Sequence, residues 1–199
     1  MKTILTSYFL IVILFLIYGC TDKVIDNMKE GKLILSAVEK PGKNENRKDQ
    51  LLKAVDYFKA ELKNNPNSFE AQIYLAESFG SLYEPDSAII VLNRAIESTY
   101  KQTSRLFIER GIANLNMKDF AGSTRDFEEA LNYDSTDNQL YRLIVHSKLS
   151  QRYYVNGAWL KFEQGDIASI INEVYPAGFK NKPSVDEFIY NIKMYTYQK

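Results

Sequence analysis

The chain has 199 residues, room for one domain or for one domain plus an anchor segment. Its 25 basic and 25 acidic side chains cancel, so the electrostatic footprint of nucleic-acid binding is missing. An apolar content of 45% is too high for a disordered chain, and a single Cys excludes zinc fingers, disulfide frameworks and thioredoxin-like pairs.

In chain order, Lys2 supplies a positive start and residues 8–18 form an uncharged apolar run that ends at Gly19-Cys20. A basic start, a short apolar core and a small residue before the cut describe a secretory signal over 1–19. The alternative is an uncleaved anchor, but the apolar stretch Ile4–Tyr18 has 15 residues, short of the ~20 that span a bilayer. Ile17-Tyr18-Gly19-Cys20 resembles the lipobox of bacterial lipoproteins, departing from it at Tyr18, where a smaller residue is usual. The resemblance implies that Cys20 is lipidated (palmitate-type acylation), becomes the mature N-terminus and anchors the chain in the cell envelope. Two or more acyl chains hold a protein lastingly where one does not. Thr21 stands where Asp would retain a lipoprotein at the inner membrane, which points to an outer membrane if the source has one. Residues 20–25 are a short tether.

Val24, Ile25, Met28, Leu35 and Val38 give a poorly patterned first helix, interrupted by Gly31, before a Pro-Gly loop at 40–46. The next helix is expected over 47–64, with Val55, Phe58 and Leu62 on one stripe. A second pair of helices is expected over 69–101, with a turn at Tyr83–Asp86 and Pro85 ending the first of them. A third pair covers 104–135 around a turn at Met117–Asp119. Ser135–Asn138 is a polar break rich in N-cap residues. Leu140, Leu143, Ile144 and Leu149 open a degenerate fourth unit, with an inter-helix turn at Lys161–Asp166. Ser184–Glu187 is a capping box for a last helix whose stripe is Val185, Phe188, Ile189, Ile192 and Tyr195. That helix is expected to cap the stack; docking a partner is the alternative. No stretch alternates long enough to predict a sheet.

Small and bulky residues recur with one period across these pairs. Ala54 and Phe58 precede Asn64-Asn65-Pro66; Ala88, Leu92 and Ala95 follow with Ala76 one helix earlier; Gly111, Ala113, Phe127 and Ala130 come next. Ala76, Leu92 and Ala95 stand 35 residues before Gly111, Phe127 and Ala130. Such a period means stacked two-helix units, because one hairpin cannot bury its apolar face alone. Residues 48–137 resemble the tetratricopeptide repeat (TPR) family, most closely over Arg105–Asp134. Ser123 departs from the usual Ala, and Ser135 from the usual Pro. The resemblance implies a right-handed α-solenoid of three to four TPR-like hairpins over 26–137. The degenerate unit and the capping helices then fill 138–199. The predicted class is all-α.

No catalytic constellation is legible. His146 is the only His, and neither a phosphate-cradling Gly-rich loop nor a nucleophile elbow occurs. Neither a metal nor a cofactor is expected, and the chain is read as non-catalytic. The resemblance implies a concave face lined by each unit's first helix, which takes peptides or partner helices. The matching positions are Glu70, Ile73 and Glu77, then Arg105, Ile108, Ile112 and Asn116, and from a fourth unit Arg142 and His146. Glu70 and Glu77 are expected at one end of this groove and Arg105 and Arg142 at the other, with the isoleucines between. The groove departs from the family's carboxylate clamp at Ile73 and Glu77. The equally open alternative is that these side chains are only the solvated face of the stack.

The expected function is that of a lipid-anchored adaptor for protein or peptide partners in the envelope. A receptor for a glycan or small ligand, built from the 14 Tyr and the single Trp159, is a second reading. Inhibition of a toxin by an immunity-type protein is a third, not separable from the first by sequence.

Overall fold

The computed structural model describes residues 26–38, 46–98, 103–156, 158–159 and 163–189. The signal, Cys20 and the tether lie outside the described residues. The chain folds as α1 (Asn27–Val38), α2 (Arg47–Asn64), α3 (Phe69–Ser81), α4 (Pro85–Ser98), α5 (Ser104–Asn116), α6 (Phe120–Leu131) and α7 (Asn138–Tyr153). Then come β1 (Tyr154–Val155), β2 (Ala158–Trp159) and α8 (Gln164–Val174), and residues 185–189 are again helical. Helices pack in sequence-adjacent pairs, so the fold is all-α and solenoid-like. Among the described residues no helix is long and apolar enough to cross a membrane.

Local chemistry sets the helix ends. Ser68, Asp119 and Asp137 cap α3, α6 and α7 by accepting from Ala71, Gly122 and Gln139 backbone N–H groups. Each satisfies one donor that a helix start leaves free. Ser184 Oγ likewise accepts from Glu187 N–H at 3.1 Å, opening the terminal helical segment. Pro85 does not end α3, as the sequence suggested; it is the first residue of α4, where a missing N–H costs nothing. The turns inside the second and third units use the same device, Tyr83 at φ 61° and Lys118 at φ 67°. That left-handed region strains any residue with a Cβ. Tyr83 is 88% exposed, so Tyr83→Gly removes strain at little packing cost. We expect it to stabilise the fold by about 0.5–1 kcal/mol, read as a higher urea midpoint.

The core is a chain of overlapping clusters. Leu51, Ala54, Val55 and Phe58 of α2 pack with Leu35 and Val38 of α1, and Leu75 of α3 closes that cluster. Ala88, Leu92 and Ala95 of α4 pack with Ile73 and Ala76 of α3, closed by Leu106 of α5. Phe127 and Ala130 of α6 pack with Phe107 of α5, closed by Leu140 and Ile144 of α7. In each step the next unit's first helix covers what the preceding hairpin leaves open, which is why the units need one another.

Within a unit, small faces bulky. A Cβ built on Gly111 would lie 2.5 Å from Phe127 Cε1, and one on Gly31 would lie 2.6 Å from the Phe58 ring. Gly31 therefore does not interrupt the first helix. It is the small residue that lets α1 approach the Phe58 ring of α2. Ser123 stands where Ala54 and Ala88 stand in earlier units, fully buried. Its hydroxyl meets that of Ser147 on α7 at 2.9 Å, giving both buried groups a partner.

The C-terminal part departs from the hairpin plan. Between α7 and α8 the chain makes a two-residue antiparallel pairing, Tyr154 with Trp159 and Val155 with Ala158, around Asn156 at φ 52°. Asn156-Gly157 is a favoured two-residue hairpin turn, a signal weaker than the surrounding helical pattern. Of the inter-helix turn expected at 161–166, residues 161–162 lie outside the described residues, and from Gln164 the chain is already helical, in α8. Tyr141, Val145 and Leu149 of α7 share a last cluster with Ile167, Ile170 and Ile171 of α8, and with Tyr175 and Phe188. Phe188 thus seats the terminal segment on the end of the stack.

Candidate functional site

A groove of about 660 Å³ runs across α1, α3 and α5. These are the first helices of three successive units, and they touch one another in series, α1 to α3 and α3 to α5. Small residues on its floor, Ala76, Gly80, Ala88 and Ala113, leave the volume open. Its walls mix charge with apolar surface: Lys32, Leu35 and Ser36 from α1, Tyr74 and Glu77 from α3, and Arg105, Glu109, Ile112 and Asn116 from α5.

The charges are organised around Tyr74. Its ring stacks on Phe58 at 5.6 Å between centroids, with the Arg105 guanidinium 4.8 Å and the Lys32 ammonium 5.0 Å from its centre. Both distances suit cation–π attraction. Arg105 donates to Glu77, and Lys32 donates to Glu70 outside the groove. The bond to Glu70 holds the Lys32 ammonium above its ordinary value, with burial opposing it. Glu109 stands half-buried beside this assembly. Burial pushes its carboxyl up to about 8, the neighbouring Glu77 carboxylate adds to that, and Arg105 opposes it. At neutral pH Glu109 therefore holds a proton.

The structure redistributes the residues expected on the concave face. Glu77, Arg105, Ile112 and Asn116 line the groove together. Ile73 does not: it is 1% exposed and packs with Leu92 and Leu106 in the core. Ile108 packs against the Phe107–Phe127 cluster. Glu70 stays exposed, paired with Lys32. Arg142 is engaged at 2.6 Å by Glu187 of the terminal segment, and so belongs to the cap. His146, on the same helix, is half-buried, and burial lowers its pKa. The charges are thus not segregated to opposite ends with isoleucines between them. They are cross-paired between neighbouring helices, which shortens the distance between opposite charges.

Sequence reasoning missed Lys32, Tyr74 and Glu109. Tyr74, Glu77 and Ser81 follow a 3–4 spacing along α3, as Arg105, Glu109, Ile112 and Asn116 do along α5. The open face differs from the expected stripe at single positions, Tyr74 beside Ile73 on α3 and Glu109 beside Ile108 on α5.

A smaller cavity of about 220 Å³ lies between α4, α5 and α6. Its centre is an ion pair in which Arg110 Nε donates to Asp126 Oδ1 and Oδ2 at 3.0 and 3.1 Å. Asn114 donates to Asp126 at 2.8 Å, and Asn93 accepts from Arg110 at 2.9 Å. These bonds join side chains of α4, α5 and α6 in one network and so tie three helices together. Among the described residues no group of three or more His, Cys, Asp and Glu could hold a metal ion. Compared with known proteins, the chain matches no family model and no curated protein.

Proposed function

We propose that the chain is a non-catalytic, TPR-like scaffold that binds a segment of a partner protein in the α1–α3–α5 groove. In this reading the right-handed stack is held at the bacterial envelope, at the outer membrane where there is one, by lipid on Cys20. The observation that carries the binding role is the groove itself, a continuous concavity built from three successive first helices. Its volume lies within the range of ligand-binding clefts, and extended repeat surfaces take peptides or helices. Among the described residues Tyr74 is the single aromatic on its wall, which favours a protein segment over a glycan or small aromatic ligand.

The test is capture from the native membrane by the full acylated chain, set against Ile112→Arg. Ile112 is 37% exposed on the groove wall, so the longer side chain fills the groove without entering the core. Partners retained by the parent should be lost from Ile112→Arg at unchanged circular dichroism. An identical set of partners on both proteins would sink the groove reading. The anchor is tested separately: Cys20→Ala should leave the membrane fraction, and a mature chain that still starts at residue 1 with unmodified Cys20 would end that part.

A further inference from the structure

We infer that the groove selects a partner segment that inserts a lysine or arginine side chain beside Glu109, with its cationic head between Glu77 and Glu109. This rests on the groove reading above and names the chemistry of its occupant. The argument is one of charge complementarity. Lys32 is committed to Glu70 and Arg105 to Glu77, and both cations also sit against the Tyr74 ring. Glu109 makes no ion pair of its own among the described residues; its carboxyl is hydrogen-bonded to Glu77 and feels Arg105 only at longer range. A partner carboxylate would meet cations already neutralised, and would face Glu77 and Glu109 across the groove. A partner ammonium or guanidinium meets the surplus carboxyl.

The wall beside Glu109 suits the rest of such a side chain. Ile112 lies 3 residues further along the same face of α5, with Ala113 beside it and Leu35 on α1 across the groove. A lysine or arginine stem covers apolar surface of this kind while its head reaches a carboxylate. The assembly also makes recognition proton-linked. The titratable and charged groups that line the groove with Glu109 are Glu77 and Tyr74 from α3, Arg105 from its own helix, and Lys32 from α1, whose partner Glu70 stands on α3 outside the groove. The Glu109 proton must leave before its carboxylate can pair with a docked cation. Binding therefore releases a proton and strengthens as pH rises towards 8, where the site becomes ionised unaided.

The experiment uses the full chain in detergent micelles and pooled peptides of about seven residues, one position at a time fixed as Lys, Arg, norleucine or Glu. At pH about 8.5 the Lys and Arg pools should be retained about tenfold or more over norleucine. That preference should fall by up to about tenfold per unit as pH drops from 8 to 6. Glu109→Gln should erase the preference and its pH dependence at unchanged circular dichroism. A preference for Glu pools, or a basic preference that survives Glu109→Gln, would overturn the inference. The Ile112→Arg protein separates the two levels. Pools that bind without basic preference, yet are lost from Ile112→Arg, leave the groove reading standing and remove this one. Pools that bind Ile112→Arg as well as the parent, or no retention by the parent, remove both.

Discussion

Ala95→Glu is expected to leave the chain without a cooperative unfolding transition, or with one lowered by most of its stability. Ala95 is fully buried on α4, in the cluster that also holds Ile73, Leu92 and Leu106. The described residues packed around it in that cluster are apolar, so an ionised carboxylate is strongly disfavoured there. If it takes up a proton instead, the uncompensated polar group still costs about 1–3 kcal/mol and the added volume about 1–3 more. Set against a typical domain stability of about 5–15 kcal/mol, that is a large share. Glu129→Ala is the matched control, since Glu129 is exposed and, among the described residues, its carboxylate accepts a bond from the nearby Asn132 Nδ2 at 3.1 Å. It should shift stability by no more than about 0.5 kcal/mol. Equal urea midpoints for Ala95→Glu and the parent would show that α4 does not bury this face.

Gly111→Ala and Gly80→Ala are the same chemical change and should have opposite signs. Both sit in helices, where replacing Gly by Ala gains about 0.5–1 kcal/mol in propensity. Nothing lies within 4 Å of a Cβ on Gly80, so that gain stands and Gly80→Ala should stabilise. At Gly111 the new methyl would press on Phe127 at 2.5 and 2.8 Å, and Phe127, with no exposure, has nowhere to turn. Overpacking of this kind costs about 1–3 kcal/mol, so Gly111→Ala should destabilise on balance and Gly111→Val by more. Phe127→Leu combined with Gly111→Ala should cost less than the two single changes added together. A stabilised Gly111→Ala would mean that α5 and α6 stand further apart than described.

These positions also show what was legible in the sequence. Ala76 with Leu92 and Gly111 with Phe127 are each 16 residues apart, and that constancy gave the second and third units away. Gly31 and Phe58 make the same contact at a separation of 27, because the loop between α1 and α2 is longer. The first unit's register was hidden for that reason, and its glycine was misread as a break. The groove was half legible. Spacing along α3 and α5 points to two of the three helices that line the groove but not to α1, and it puts the apolar residues Ile73 and Ile108 in the middle of the open face. In a stack each first helix touches hairpins on both sides, so its apolar stripe is wide and those residues gain more from burial. The open face was left to Tyr74 and Glu109. Cross-pairing by Lys32 and Glu187 could not be foreseen either, since each comes from a segment distant in sequence from its partner.

Each described helix makes its substantial contacts with the nearest or second-nearest helix along the chain. Such a body is elastic like a coil rather than rigid like a ball. A push on one layer is felt by the next and fades along the axis, and amide exchange should be slowest in α3–α6, which have layers on both sides. A segment lying across α1, α3 and α5 would staple three layers at once. It would stiffen that half of the coil and leave the end held by Arg142 and Glu187 as compliant as before.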